Sequence, residues 1–203
     1  MGYKDLKAKY LVDVAAKLFL ERGIVDVTIK DIAQEAGIGE ATIYRHFQKK
    51  QNIVLAVVFM LKEKVLAGYF DLSKGKTGFE KVEIFYSSYL NIYRNSPEYF
   101  YFINEFDAYM CMEEGVSLEE YEKEIDSFKS QYLEAYQLGL EDKTIRKIDS
   151  IETFYFSTTH SLLELCKKLS PNRALLKQDE NNQKAAEVEC LVKIILDSLK
   201  QQV

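Results

Sequence analysis

Helix-breaking and cross-linking residues are scarce in this 203-residue chain. It has two prolines, nine glycines and no tryptophan. No segment alternates apolar and polar residues with period two, so the pattern indicates an all-α protein. Cys111, Cys166 and Cys190 are widely spaced and no secretory signal precedes them, which indicates reduced thiols and a cytoplasmic location. The longest apolar run, 53–61, is too short for a membrane, which takes about 20 residues to cross.

Charge is distributed unevenly along the chain. The net charge is -5, but residues 1–50 carry nine Lys and Arg against seven Asp and Glu, a net charge of +2. Residues 51–203 carry 18 against 25, a net charge of -7. A basic segment on an acidic body is expected where only that segment contacts phosphate. A split of this size also arises by chance, which is the alternative interpretation.

The segment from Thr28 to Lys50 predicts a helix-turn-helix. Thr28 is a good helix cap with Asp31 three residues later, and Gly37 supplies the left-handed conformation that ends the first helix. A second helix is predicted from about Gly39. Apolar residues recur on one face of each helix: Ile29, Ile32, Ala33 and Ala36, then Ile43 and Phe47. A helix of this size fits the DNA major groove, which is about 12 Å wide.

The outward positions of this segment carry small, hydroxylated or cationic side chains. Four residues are expected to face base edges: Lys30, Glu40, Ala41 and Arg45. Five are expected to contact phosphates: Thr28, Thr42, Tyr44, His46 and Lys50, the last together with the N-terminus of the next helix. Gly39 would start the second helix with bare backbone at the same surface.

With the amphipathic helix before it, this segment resembles the TetR/AcrR family of transcriptional regulators. The positions that carry the resemblance are Ala15, Ala16, Leu18, Phe19, Gly23, Thr28, Asp31, Ile32, Ala33, Ala36, Gly37, Ile38, Gly39, Ala41, Thr42, Ile43, Tyr44, His46, Phe47 and Lys50. Two positions depart from the family pattern. Gly39 stands where Ser is usual, and the acidic Glu40 lies at a base-facing position, which leaves the operator sequence open.

The resemblance implies two all-α domains. Residues 1–50 would form the helix-turn-helix DNA-binding domain of three helices, and residues 51–203 a helical ligand-binding and dimerisation domain. Six further helices are predicted from periodicity and breakers, at 51–70, 79–95, 97–110, 117–140, 149–169 and 184–201. Ser117 and Glu120 are predicted to cap the fourth of these as a capping box.

Aromatic residues are concentrated in the centre of the chain, where 17 of the 26 Phe and Tyr lie between positions 85 and 156. Such side chains suit a cavity for a small apolar or aromatic ligand. The candidate lining residues are Tyr89, Tyr93, Phe100, Phe106, Tyr109, Tyr132, Tyr136, Phe156 and His160. Two alternatives stay open: a tryptophan-free bundle also fills an ordinary core with Phe and Tyr, and His160 also suits a hydrogen-bonded core or interface position.

The last two helices predict a homodimer, because both are apolar on more than one face. In the family that the chain resembles, such helices pair across a two-fold axis into a four-helix interface, which suits a near-palindromic operator in double-stranded DNA. The predicted interface residues are Ile151, Phe154, Tyr155, Thr158, Leu162, Leu165, Val188, Leu191, Val192, Ile195 and Leu199. The alternative is that these helices only close the core of one protomer.

We expect a regulator, most simply a repressor that a small-molecule inducer releases from its operator. A ligand-independent or activating regulator is the first alternative, and a helical small-molecule-binding adaptor without a DNA target is the second. An enzyme is not expected, and neither is a cofactor or a metal. Residues 75–77 only echo a phosphate-binding loop, since Phe70 stands where that motif needs Gly.

Overall fold

The computed structural model describes residues 3–170 and 184–201. Within these ranges it contains α-helices and no strand, apart from an isolated bridge between Ile145 and Lys200. The predicted all-α fold class is confirmed. The described helices are α1 (Tyr3–Arg22), α2 (Ile29–Glu35), α3 (Glu40–Phe47), α4 (Lys50–Tyr69), α5 (Gly78–Asn95), α6 (Glu98–Met110), α7 (Glu119–Glu141), α8 (Ile151–Leu169) and α9 (Lys184–Leu199).

The predicted bounds of the last six helices agree with α4 to α9 to within two residues at each end. The capping box predicted at Ser117 is wrong, because α7 starts after Leu118, which makes no side-chain cap. A capping box does occur at Thr77, whose side chain accepts from the Glu80 amide 3.2 Å away. A short 3₁₀ helix, Leu72–Lys74, occupies the linker before it.

The chain packs as two compact units. The N-terminal unit comprises residues 3–64 together with 101–117, and the second comprises the described parts of 65–100 and 118–203. The boundary therefore falls within α4, after Lys64, and within α6, after Phe100. The packing unit is larger than the predicted 1–50 domain because α4 and α6 also contribute buried apolar side chains to it, Ile53, Val54, Val57, Val58, Phe102 and Phe106. A functional boundary near residue 50 stays a prediction.

Helix α5 is the centre of the second unit, where it packs against α7, α8 and α9. Two residues just after α7 accept hydrogen bonds from the N-terminus of α5. The Gly78 amide donates to Asp142 at 2.8 Å, and the Phe79 amide donates to Thr144 at 3.1 Å. These bonds satisfy amides that a helix start leaves without partners. In the described part of the chain, no helix combines the length and apolar character needed to cross a membrane.

Candidate nucleic-acid interface

Helix α2 begins with the predicted capping box. The Asp31 amide donates to Thr28 Oγ1 at 3.2 Å, and the Thr28 amide donates back to Asp31 Oδ2 at 2.8 Å. The pKa of the Asp31 carboxyl lies below its usual value. The largest cause is a bond from the Thr28 hydroxyl, and the next is the bond from the Thr28 amide. That hydroxyl donates to Asp31 Oδ2 at 2.5 Å. Its proton is thus used within the cap, which speaks against the predicted phosphate contact of Thr28.

The turn between α2 and α3 depends on Gly37, whose φ is +66°. This conformation lets the Ile38 amide donate to the Ala33 carbonyl at 3.0 Å, and so closes the end of α2. Helix α3 then starts at Glu40, and its N-cap residue Gly39 provides no side-chain cap. Its amphipathic face is anchored by Ile43, which is fully buried. The helix-turn-helix predicted from the sequence is therefore present, with α3 as its second helix.

The outer face of α3 presents most of the residues expected to contact DNA. Glu40 and Tyr44 lie one turn apart, as do Ala41 and Arg45, and all four are exposed. Thr42 and His46 lie at the edge of this face and are half-buried, and His46 packs against Phe47. Lys30 of α2 and Gly39 at the start of α3 are also exposed. The structure thus leaves a surface of mixed polar character on this helix, with Arg45 as its cation.

Lys50 is half-buried, and its ammonium binds within the N-terminal unit. Its ammonium donates to the carbonyl of Ile24 and, at 3.3 Å, to that of Val25, in the turn between α1 and α2. It also lies 5.1 Å from the centre of the Tyr109 ring. Burial lowers the pKa of this ammonium. Two of its bonds go to backbone carbonyls in this conformation, and the predicted role of Lys50 at a phosphate stays a prediction.

Lys49 is an exposed cation beside α3, and it is not among the predicted contacts. Gln48 ends α3 with φ of +63°, and its amide donates to the Tyr44 carbonyl at 2.8 Å. Asn52 of α4 stabilises the turn between α3 and α4, since its Nδ2 donates to the Phe47 carbonyl at 2.7 Å. Adjacent lysines give no local signal for which one turns inward, so spacing alone was not able to identify Lys49.

A family model for bacterial regulatory proteins of the TetR family matches residues 11–57, which hold the whole helix-turn-helix and the start of α4. The chain carries a TetR-family N-terminal domain. This confirms the resemblance. The chain is 39% identical over 66 residues to the HTH-type transcriptional repressor KstR2 of Rhodococcus jostii, and 36% identical over 58 residues to the HTH-type transcriptional regulator BetI of Agrobacterium fabrum. These matches span 32% and 29% of the chain, and 28% of each relative.

Solved structures of low sequence identity share the fold over nearly the whole chain. A TetR-family transcriptional regulator from Agrobacterium tumefaciens aligns with a TM-score of 0.73 at 14% identity, covering 97% of this chain and 99% of that one. The ketosteroid transcriptional regulator KstR2 of Mycobacterium tuberculosis aligns with a TM-score of 0.68 at 15% identity, covering 97% and 96%. The helices that follow the TetR-family domain therefore have the fold of these regulators.

The nine predicted ligand residues are divided between the two compact units. Phe106 and Tyr109 pack in the N-terminal unit with the TetR-family domain, and Phe156 and His160 are exposed on α8. The others lie in the second unit, where Tyr93, Phe100, Tyr132 and Tyr136 are buried and Tyr89 is partly buried. A cavity lined by these residues therefore stays a prediction.

A hydroxyl network lies among the buried aromatic rings of the second unit. Tyr86 Oη lies 2.7 Å from Thr158 Oγ1 and 3.2 Å from Tyr132 Oη. Thr158 Oγ1 in turn donates to the Phe154 carbonyl at 2.7 Å. Burial raises the pKa of Tyr86 to about 12. Tyr86 was not among the predicted residues, because nothing in its sequence context separates it from other core tyrosines.

Most residues predicted at the dimer interface lie in the core of a single chain. Those buried there are Tyr155, Leu162, Val188, Val192, Ile195 and Leu199. The others, Ile151, Phe154, Thr158, Leu165 and Leu191, are partly buried. The apolar side chains that stay exposed on these helices are different ones: Phe156 of α8 is 41% exposed and Ile194 of α9 is 60% exposed. The buried six are corrected to core positions, because α8 and α9 turn these faces toward the unit's own core.

Proposed function

We propose that the protein is a DNA-binding transcriptional regulator that reads its operator with α3. The observation that carries the proposal is the exposed face of α3 within a matched TetR-family domain, since this helix has a buried side anchored by Ile43 and a polar side without a packing role. Two successive turns of that polar side carry Glu40, Ala41, Tyr44 and Arg45. A helix inserted into the major groove presents such side chains to base edges and phosphates.

The proposed contacts follow from exposure and chemistry. Lys30, Glu40, Ala41 and Arg45 face base edges, and Arg45 is the residue able to donate to guanine in bidentate fashion. Thr42, Tyr44, His46 and the newly identified Lys49 contact phosphates. Gly39 contributes backbone amides at the start of α3, which no side chain caps. Thr28 and Lys50 are left out of this set, because their donors are used inside the domain.

We propose a homodimer that pairs through the outer faces of α8 and α9. Phe156 and Ile194 would lie at its centre, since both are large, apolar and exposed in a single chain. Partly buried Leu163 and Leu191 would extend the apolar surface. Two-fold pairing matches a near-palindromic operator whose half-sites lie about 34 to 36 Å apart, or a multiple of that.

We propose further that the protein is a repressor, and that a small apolar or aromatic ligand releases it from its operator. The R. jostii relative is named a repressor. Buried rings of the second unit, including Phe85, Tyr132 and Tyr155, offer an apolar site, and the Tyr86 network offers hydroxyl partners. Such a ligand must discriminate between two states of the protein. A hundredfold loss of operator affinity requires about 2.7 kcal/mol of coupling. An activating or ligand-independent regulator is the second candidate.

A gel shift with the DNA upstream of the protein's own gene tests the proposal. The full-length protein should retard a specific fragment at concentrations that leave random DNA of equal length free. Small molecules that co-purify with the protein, identified by mass spectrometry, should reduce that retardation if release by ligand is correct. Retardation of both fragments alike argues against sequence-specific regulation, and retardation that no bound compound changes favours the ligand-independent candidate.

A further inference from the structure

Four residues on α6 and just beyond it repeat at a spacing of four: Tyr101, Glu105, Tyr109 and Glu113. Residues spaced by four share one face of a helix. All four belong to the N-terminal unit, although they lie far outside the matched segment 11–57. We call them the Tyr/Glu stripe. The segment 101–117 that carries it has four carboxylates and no Lys or Arg.

The first half of the Tyr/Glu stripe lies against the end of α1. Gly23 closes that helix with φ of +83°, and its amide donates to the Phe19 carbonyl at 2.9 Å. A Cβ placed on Gly23 would lie 3.2 Å from Glu105 Oε2 and 3.7 Å from Tyr101 Oη. The stripe therefore covers the first residue of the turn that leads from α1 into the helix-turn-helix.

The second half of the stripe surrounds Lys50. Tyr109 places its ring against the ammonium, and burial together with the Glu113 carboxylate raises the pKa of the Tyr109 hydroxyl. Gln51 Nε2 also donates to Glu113 Oε2. The nearby carboxylates that favour the charged form of Lys50 are those of Glu113, Asp26 and Asp31. Glu113 thus anchors both residues that start α4, Gln51 by a hydrogen bond and Lys50 by its charge.

Lys50 in turn joins α4 to the turn between α1 and α2. Its bonds to the carbonyls of Ile24 and Val25 fix that turn four and three residues before Thr28, which caps α2. Bonds to a charged donor are stronger than neutral ones, and removing one partner of a partly buried group leaves the other uncompensated. The cluster of Lys50, Tyr109 and Glu113 therefore contacts the turn that precedes α2.

We propose that Glu113 and Tyr109 are positioning residues for operator binding, which act through Lys50 without touching DNA. The inference rests on the proposed function. It gives Lys50 a role different from a phosphate contact, and the two roles differ in salt dependence. A lysine that neutralises a phosphate releases a counterion, so its loss lowers the slope of log K against log salt by about one. Loss of a positioning residue weakens binding and leaves that slope unchanged.

The test uses full-length protein and the tightest duplex recovered by selection from a random pool. Operator affinity and its salt slope are measured for wild type, Lys50→Met, Glu113→Gln, the double variant and Lys49→Ala. We expect Lys50→Met and Glu113→Gln each to weaken binding about fivefold or more, within the range of couplings between sites, with the wild-type slope. The double variant should bind no worse than the weaker single one, since both break the same cluster. Lys49→Ala should lower the slope by about one.

Thermal unfolding of each variant separates positioning from global loss of structure. Tyr109→Phe removes one hydroxyl and should stay folded, yet weaken operator binding in the same direction as Glu113→Gln. Wild-type affinity in Tyr109→Phe and Glu113→Gln would overturn the inference and leave the proposed function standing. A slope lowered by one in Lys50→Met would also overturn it, in favour of a phosphate contact. Failure of the wild type to select any duplex would refute the proposed function, and this inference with it.

Discussion

Gly78 and Gly139 pack so closely that a Cβ on Gly78 would lie 2.0 Å from the backbone nitrogen of Gly139. The N-terminus of α5 therefore contacts α7 backbone to backbone. Gly139 is also close to Ile145, because a Cβ on Gly139 would lie 2.4 Å from Ile145 Cδ1. No side chain fits between these elements, so this crossing fixes the position of the central helix of the second unit.

Gly78→Ala should destabilise the protein by at least about 2 kcal/mol, because the new methyl group meets backbone that cannot move aside locally. Gly68→Ala is the matched control. Gly68 lies in α4, a Cβ there meets nothing within 4 Å, and alanine is the better helix former, so we expect a gain of about 0.5 to 1 kcal/mol. Urea denaturation followed by circular dichroism measures both. Equal stabilities would show that the crossing is looser than described.

Tyr86→Phe should cost more stability than Tyr132→Phe. Tyr86 is the middle hydroxyl of the buried network and bonds both Tyr132 and Thr158, whereas Tyr132 bonds only Tyr86 among the described contacts of this network. We expect about 1 to 3 kcal/mol for Tyr86→Phe and about 1 kcal/mol for Tyr132→Phe. Tyr10→Phe, at an exposed position, is the control and should be neutral. The reverse order in urea denaturation would contradict this network.

The capping box of α2 should make stability depend on pH in a defined direction. Hydrogen bonds from Thr28 lower the folded-state pKa of Asp31. A carboxyl whose pKa is lower in the folded state stabilises the protein above its unfolded pKa of about 3.9, and that contribution is lost as pH falls through the folded value. Wild type should therefore exceed Asp31→Asn in stability at pH 7, and the gap should narrow as pH falls below the unfolded pKa of about 3.9. A gap independent of pH would exclude this linkage.

Adjacent residues of α9 should respond in opposite ways to a negative charge. Ile194 is 60% exposed and Ile195 is 4% exposed. Ile194→Glu should give a folded monomer that has lost operator affinity, because the charge falls on the proposed dimer surface. Ile195→Glu should unfold the second unit, since it buries an unpaired charge. Analytical ultracentrifugation and circular dichroism separate these results. A wild-type protein that sediments as a monomer at micromolar concentration would falsify the dimer.

Helix positions were predictable from the sequence because their signals are local. Capping at Thr28, the glycine at 37 and the apolar spacing around Ile43 all act within a few residues. Contacts between residues that are far apart in the sequence were not predictable. Lys50 turns inward toward Tyr109 and Glu113, about sixty positions away, and neither carries a signal that links it to the helix-turn-helix.

For α8 and α9, too, the sequence did not identify what each apolar face contacts. Periodicity identified Leu162 and Ile195 as apolar positions, but it does not say whether an apolar face meets its own chain or a second copy. Both residues proved to be core, because α5 provides their neighbours in the second unit. The exposed Phe156 and Ile194 lie outside the main stripe, where sequence patterns have least weight.

Selection of duplexes from a random-sequence pool, followed by affinity measurements with Arg45→Ala and Lys49→Ala, tests the central claim most directly. The wild type should enrich one near-palindromic sequence. Arg45→Ala should lose about 1 to 3 kcal/mol on that sequence and much less on random DNA, because Arg45 reads a base. Lys49→Ala should weaken both duplexes by the same factor, because it contacts a phosphate. Enrichment of no sequence, or equal losses on both duplexes for Arg45→Ala, would contradict sequence reading by α3.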